Sequence, residues 1–183
     1  MLSRIIRIAV VLVPLCGFLL AADTGVWLDV PFVKQEKNGC GAASIAMVMQ
    51  YWQHQQRHPA GEGYDAAAIQ RALYSVKAHG IYASDLEWYF KENGFRTFTI
   101  RGEWEDLKDQ LDKRRPLIVS LRPDGGGALH YVVVTGIDEN QDIVMVNDPA
   151  QRKLLKVDRS SFERRWSATR KWTLLALPQA ESR

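Results

Sequence analysis

Apolar residues recur at helical spacing in the first half of the chain, between stretches of polar residues. The segment 40–52 contains no proline and no charged residue, and its apolar side chains predict a mostly buried helix. Asp65 stands where a side chain caps the start of a helix, and Gly94 and Pro116 stand where two further helices would stop. The predicted helices cover residues 40–52, 66–74, 84–93 and 104–113.

The second half of the chain consists of short apolar or alternating segments separated by turn residues. Residues 95–100 alternate as a strand does, and residues 129–137 and 143–147 predict a hairpin around a turn at 138–142. The run 123–127 predicts a mobile loop. The other predicted elements are an extended lead-in at 27–32, strands at 117–121, 153–157 and 171–177, and a short helix near 160–166. Helices followed by antiparallel strands predict an α+β fold.

The composition is that of one ordinary globular domain. The chain has 183 residues, of which 46% are hydrophobic and 25% charged, so disordered and collagen-like classes are excluded. The net charge of +3 is spread along the sequence without long basic runs, so the sequence lacks the cluster of basic residues that binding to nucleic-acid phosphates requires. We therefore expect one folded domain over residues 23–183 and no nucleic-acid partner.

The first 22 residues have the pattern of a secretory signal peptide. Residues 1–7 carry two arginines and no acid, residues 8–22 carry no charge, and a pair of alanines precedes a polar segment. We therefore expect residues 1–22 to be removed and the protein to act in the periplasm or outside the cell. Two alternatives bring contact with a membrane: residues 8–22 stay as an uncleaved anchor, or Cys16 is lipidated.

Cys40 becomes the sole cysteine once the signal peptide is removed, so an intramolecular disulfide is ruled out. It opens the predicted helix at 40–52, where the unpaired N–H groups of the first turn and the helix dipole stabilise a thiolate. Gly39 and Gly41 flank it, and we interpret them as room for a substrate backbone. The alternative is a small, inert apolar residue at a helix start.

His130 is the histidine whose surroundings favour catalysis. It begins the apolar strand of the predicted hairpin, beside the glycine loop, whereas His54, His58 and His79 lie in polar loops or turns. A side chain at the end of a sheet, next to a flexible loop, is well placed to reach a substrate. His130 is therefore the candidate general base.

Asp148 is the predicted partner of His130. A hairpin turn centred near Glu139 pairs Val134 with Val144 and places Asp148 opposite His130, close enough for the carboxylate to fix the tautomer of the ring. The alternative is a surface histidine and aspartate at a strand end, because a slip of one residue in the register would separate them.

These residues supply the parts that nucleophilic catalysis by a thiol requires. Cys40 is the nucleophile, His130 the base and Asp148 the residue that orients the base. Gln35 lies five residues before Cys40, where its amide and the main-chain N–H of Cys40 would form an oxyanion hole. From the residues alone, Gln35 is simply a solvated loop residue.

Three stretches of the sequence resemble the papain-like cysteine peptidases of the C39 group, in particular the stand-alone C39-like domains. Residues 30–48 contain a glutamine and then Cys-Gly at the helix start, residues 129–137 contain His-Tyr-Val-Val, and residues 146–149 read Val-Asn-Asp-Pro. They occur in the order of the family. Gly41 is followed by Ala42 where many relatives have proline, a change that should leave the chemistry untouched.

The resemblance implies a papain-like fold for residues 23–183. The helical N-terminal half would carry Cys40 on a buried helix, and the C-terminal antiparallel sheet would carry His130 and Asp148. It implies Cys40 as nucleophile, His130 as general base and acid, and Asp148 as the orienting residue. It also implies Gln35 as the oxyanion donor.

The best-known members of this group are cytosolic domains of peptide-exporting ABC transporters, which cut leader peptides after a double glycine. The export signal sets this chain apart, so we do not carry that substrate or location over. We expect an exported cysteine peptidase that hydrolyses peptide or protein substrates through a thioester.

No metal and no cofactor are expected, because the sequence has neither zinc-ligand spacing nor a nucleotide-binding glycine loop. Two alternatives to the peptidase stay open. One is a catalytically silent module that binds peptides or takes part in assembly, and the other is a thioester-based acyl or amide transferase. The oligomeric state is not predicted.

Overall fold

The structure of the protein, a computed structural model, describes residues 25–56 and 64–179. The predicted signal peptide at 1–22, Cys16 and His58 lie outside the described residues. Within the described ranges, no helix combines the length and the apolar character needed to cross a membrane.

Five helices and seven strands form in the described part of the chain. The helices are α1 (Cys40–Gln56), α2 (Ala66–Leu73), α3 (Ala83–Glu92), α4 (Trp104–Asp112) and α5 (Arg159–Ser167). The strands are β1 (Gly25–Trp27), β2 (Phe95–Arg101), β3 (Leu117–Leu121), β4 (His130–Asp138), β5 (Ile143–Asn147), β6 (Leu155–Asp158) and β7 (Trp172–Pro178). Each predicted helix and strand is present, with ends shifted by a few residues at most.

One prediction about the end of α1 is wrong. The helix continues to Gln56, so His54 lies in its last turn and not in a polar loop. The three residues around His54 are glutamines, which are good helix formers, and no proline or glycine interrupts this stretch.

The described strands form a single antiparallel sheet in the order β2-β7-β3-β4-β5-β6. β1 pairs with the C-terminal end of β4, beyond the residues that pair with β3. Helices of the first half therefore pack against a sheet built largely by the second half, which confirms the predicted α+β class.

α1 runs through the hydrophobic core and contacts α2 and β4. Its middle is almost entirely buried, as its apolar composition predicts. Near its C-terminal end, Tyr51 Oη donates to the carbonyl oxygen of Arg114 (2.8 Å), and Trp52 Nε1 donates to that of Ala176 (2.9 Å). These bonds fix the helix against the rest of the fold and so fix the position of its first residue, Cys40.

β4 and β5 form the predicted hairpin, but in a different register. Val134 faces Val146 in the structure, whereas the prediction paired it with Val144. Thr135 is an extra residue in β4 that forms a bulge, and its Oγ1 donates to the carbonyl oxygen of Met145 (3.1 Å). The predicted register is therefore wrong, because the turn is centred between Asn140 and Gln141 and not near Glu139, and because the inserted Thr135 changes the register again within β4.

Asn147 ties the segment that leads into α1 to the end of β5. It is fully buried, and its Nδ2 donates to the carbonyl oxygens of Val30 (3.1 Å) and Pro31 (3.3 Å). Its Oδ1 accepts from the N–H of Leu154 (2.9 Å). One side chain thus holds the approach to Cys40 beside the strand that precedes Asp148.

Candidate active site

Cys40 is the first residue of α1, as predicted. Its partly buried sulfur is hydrogen-bonded by the ring of His130 and by the main-chain N–H groups of Tyr131 and Gly41. The positively polarised end of α1 and the start of β4 therefore converge on one sulfur atom. The contribution of Tyr131 was missed by the sequence analysis, since a main-chain donor has no signature in side-chain identity.

His130 and Asp148 are in direct contact. His130 Nε2 lies 2.7 Å from Asp148 Oδ1, and Asp148 is only 3% exposed. Because the carboxylate occupies Nε2, Nδ1 is the ring nitrogen left for the sulfur of Cys40. The predicted pair meets despite the wrong register, because a shift of two residues leaves both side chains on the same face of the sheet.

Asp148 has two further partners that the sequence analysis missed. The N–H of Ala150 donates to Oδ1 (2.9 Å), and Gln151 Nε2 donates to Oδ2 (2.7 Å). Both belong to the turn that follows β5. An aspartate that accepts from residues two and three positions ahead is typical of turns, so this spacing was the available signal.

The charges of the three groups depend on one another. Burial raises the pKa of the Cys40 thiol, but hydrogen bonds from His130 and the N–H of Tyr131 outweigh it, and the pKa lies below its usual value. Burial lowers the pKa of His130, but its bonds to Asp148 and Cys40 raise the pKa to about 9. Burial raises the pKa of Asp148, yet the bond to His130 holds it below its usual value. Relative to the free side chains, the site therefore favours thiolate at Cys40, imidazolium at His130 and carboxylate at Asp148.

A cavity of about 400 Å³ lies over the sulfur, and all four predicted site residues line it: Gln35, Cys40, His130 and Asp148. Gln35 is held in place by its main-chain N–H, which donates to the carbonyl oxygen of Pro149 (2.9 Å). Its Oε1 is buried and has no hydrogen-bond partner in the described ranges.

The remaining wall includes residues to which the sequence analysis gave no role. Both flanks of the glycine loop line the cavity, through Pro123, Ala128 and Leu129. His79 also lines it, from the turn before α3, where its φ of 49° is left-handed. Arg165 reaches the wall from α5. His79 was correctly placed in a turn, but its distance from Cys40 along the sequence hides its closeness in space.

The interpretation of the two glycines beside Cys40 is wrong. A Cβ on Gly39 would lie 2.4 Å from Gln70 Oε1, and one on Gly41 would lie 3.2 Å from the Cβ of Ile81. The space beside both glycines is filled by the protein itself. They permit close packing around the start of α1 and do not leave room for a substrate.

Comparison with known proteins identifies the family. A family model described as the Peptidase_C39 like family matches residues 27–174. The chain belongs to the Peptidase_C39 like family. The resemblance inferred from three short stretches is thereby confirmed.

Curated relatives of this Peptidase_C39 like chain include the transport/processing ATP-binding protein ComA of Streptococcus pneumoniae, which is 32% identical over 142 residues. The match covers 78% of this chain but 18% of the relative, so the chain corresponds to a small part of that protein.

Solved structures share the fold. The peptidase domain of Streptococcus ComA has a TM-score of 0.64 at 23% identity, over 82% of this chain and 98% of that one. A Bacillus anthracis protein described as a C39-like peptidase has a TM-score of 0.66 at 20% identity, over 87% of this chain and 100% of that one. A double glycine motif protease from an AMS/PCAT transporter was solved in complex with the leader peptide. It has a TM-score of 0.62 at 23% identity, over 84% of this chain and 95% of that one. These similarities confirm the prediction that this chain has the fold of C39 peptidase domains.

We expect iodoacetamide to alkylate Cys40 rapidly below about pH 7, because hydrogen bonds at the site lower the pKa of the thiol. His130→Ala removes the ring that bonds the sulfur and leaves burial to raise that pKa. The midpoint of the alkylation profile should then move up by about one pH unit or more, and the rate near pH 6.5 should fall at least about tenfold. Mass spectrometry of quenched samples measures both quantities.

His54→Ala is the matched control, since His54 is exposed near the end of α1. Its alkylation profile should match that of the wild type. An unchanged profile in His130→Ala would remove His130 from the site.

Proposed function

We propose that the protein is a cysteine peptidase that hydrolyses peptide or related amide bonds. The observation that carries this proposal is the hydrogen-bonded series Cys40, His130 and Asp148 at one cavity, with the sulfur at the N-terminus of α1. The lowered pKa of Cys40 favours the nucleophilic thiolate, and the raised pKa of His130 favours the protonated ring that acts as the acid.

The reaction has two halves. The thiolate of Cys40 attacks the carbonyl carbon of the amide, and the imidazolium of His130 gives its proton to the leaving amine, so that a thioester and a free amine form. Water then attacks the thioester and gives a proton to His130, and the acid product leaves as the thiolate returns. Asp148 holds Nε2 of the ring throughout, so Nδ1 stays directed at the reacting atoms.

Gln35 and the main-chain N–H of Cys40 are the proposed oxyanion hole. The N–H of Cys40 belongs to the first turn of α1, whose N–H groups have no acceptor within the helix. The Oε1 atom of Gln35 is turned into the protein, which leaves the amide NH₂ for the cavity that Gln35 lines. Two donors would then meet the negative charge that develops on the carbonyl oxygen.

The proposed substrate is a peptide or protein. One relative in fold, the double glycine motif protease, was solved in complex with a leader peptide, which supports a peptide-binding cleft in this fold. The cleavage motif of that protein is not assigned to this chain. Capture of the same thioester by an amine would give a transferase, and the experiment below separates the two outcomes.

A peptide library incubated with the wild type should yield cleavage products that Cys40→Ala lowers by at least about a thousandfold, because the thiol forms the new bond. Mass spectrometry identifies the bonds that are cut. With glycinamide added, a hydrolase gives mainly free acids and a transferase gives mainly glycinamide adducts. His54→Ala should cleave like the wild type.

Equal cleavage by Cys40→Ala would contradict the proposal. Peptide binding by the wild type without any cleavage or adduct would favour the silent binding module instead.

Gln35→Ala should lower kcat for the best library peptide about a hundredfold, the usual effect of removing one oxyanion donor. The alkylation profile of Cys40 should stay close to that of the wild type, because the hydrogen bonds that lower the pKa of the thiol come from His130 and from the main chain of Tyr131 and Gly41. Gln141→Ala, in the distant hairpin turn, is the matched control and should leave kcat unchanged. A kcat of Gln35→Ala within about twofold of the wild type would rule out the oxyanion role.

We also propose that residues 1–22 direct export to the periplasm or beyond. The support is the basic and then apolar pattern of that segment. Mass spectrometry of protein from the producing cells should find an N-terminus that follows Ala21 or Ala22. An intact Met1, or a lipid on Cys16, would instead establish one of the two membrane-bound alternatives.

A further inference from the structure

Arg165 is a cationic residue built into the wall of the candidate active site. It lies in α5, and its main-chain carbonyl accepts from the N–H of Arg122 (3.0 Å), which ties the helix to the segment just after β3. Arg165 lines the same cavity as Cys40 and His130, and the Nε atom of its side chain is buried. Because the guanidinium group is planar and includes Nε, burial of that atom restricts the positions that the group can take.

Within the described ranges, Arg165 forms no ion pair with an acidic residue. Its buried Nε has no acceptor, and its guanidinium takes part in no ion pair there. The neighbouring Arg164 differs, because it is largely exposed and its Nε lies 3.2 Å from Asp124 Oδ1. The adjacent acid therefore serves Arg164, and Arg165 is left without one.

The cavity offers no carboxylate of its own to Arg165. Among the residues that line the cavity, the acidic one is Asp148. Both of its carboxylate oxygens already accept hydrogen bonds, from His130 and from donors of the turn that follows β5. Arg165 is also the permanently charged cation of the lining. The wall thus carries one fixed positive charge that forms no ion pair in the described part of the chain.

Guanidinium groups recognise carboxylates with high selectivity. Their N–H donors match the two oxygens of a carboxylate in a paired arrangement, and their charge persists over the whole working pH range. Partial exclusion of water in a cavity strengthens such a pair relative to an exposed one. A ligand that brings a carboxylate would therefore supply what Arg165 lacks.

We propose that Arg165 is a specificity residue that binds a carboxylate of the peptide substrate. This inference rests on the proposed peptidase function. The carboxylate is either the side chain of an Asp or Glu near the bond that is cut, or the C-terminal carboxylate of a short peptide. Both sources share the same chemistry, and the peptides of the test distinguish them.

The test uses the best-cleaved library peptide in two series. In the first series, Glu or Gln occupies each position around the cut in turn, and in the second the C-terminus is either a free acid or an amide. The wild type should favour the acid over its amide by about tenfold or more in kcat/KM, at one position or at the C-terminus. In Arg165→Gln that ratio should fall to about one.

Arg164→Gln is the matched control, with the same charge change one residue away, and it should keep the ratio of the wild type. Alkylation of Cys40 shows that Arg165→Gln is folded, and Arg165→Lys, which keeps the charge but loses the paired donors, should give an intermediate ratio. A ratio near one in the wild type, or an unchanged ratio in Arg165→Gln, overturns the role of Arg165 while leaving the peptidase in place.

Failure of the peptidase proposal has a different signature, namely the absence of any product that depends on Cys40. In that case fluorescence anisotropy with labelled peptides and Cys40→Ala protein tests the carboxylate preference without chemistry. The role of Arg165 is supported if Cys40→Ala binds the acid peptides more tightly than the amide peptides and if the double variant Cys40→Ala/Arg165→Gln loses this preference. Equal binding of acids and amides by Cys40→Ala overturns that role.

Discussion

The hydrogen bond between His130 Nε2 and Asp148 Oδ1, 2.7 Å long, determines the charge of the groups around it. Burial alone would favour a neutral imidazole, but the carboxylate and the sulfur together raise the pKa of His130 to about 9. The proton held on the ring then helps to keep Cys40 as a thiolate, although burial of the sulfur opposes this. The pKa of the Cys40 thiol thus depends indirectly on a carboxylate that acts through the ring of His130.

That bond requires the end of β5 to stay against the start of β4, and the fold secures this from several sides. Asn147 holds the segment before α1 to the end of β5, and Gln35 is attached to the turn after Asp148 through the carbonyl of Pro149. α1 is fixed by hydrogen bonds near its far end and brings Cys40 to the same place. The parts of the site therefore come from distant stretches of the chain that are joined by hydrogen bonds to main-chain carbonyl groups.

Helices, strands and the α+β class could be predicted because each follows from local periodicity and stop signals. The pairing of His130 with Asp148 was predicted from a wrong register. Near the site the observed register differs from the predicted one by two residues, an even number, so both side chains stay on the predicted face. The role of the glycines beside Cys40 was misjudged because the neighbours that fill their space, Gln70 and Ile81, are distant in sequence. The same limit hid the closeness of Arg165 to the site.

Burial opposes the charged form of Cys40, His130 and Asp148 alike, and it is the largest single influence on each pKa. Every one of these groups taken alone would be driven towards its neutral form in this environment. The charged forms support one another, because each group supplies the opposite charge or a hydrogen bond that offsets the burial of its neighbour, in addition to the donors of Tyr131 and Gly41 at Cys40 and of Ala150 and Gln151 at Asp148. This mutual dependence explains why a single cysteine or histidine in the sequence is weak evidence for a reactive thiol, whereas the combination in its fixed order is strong.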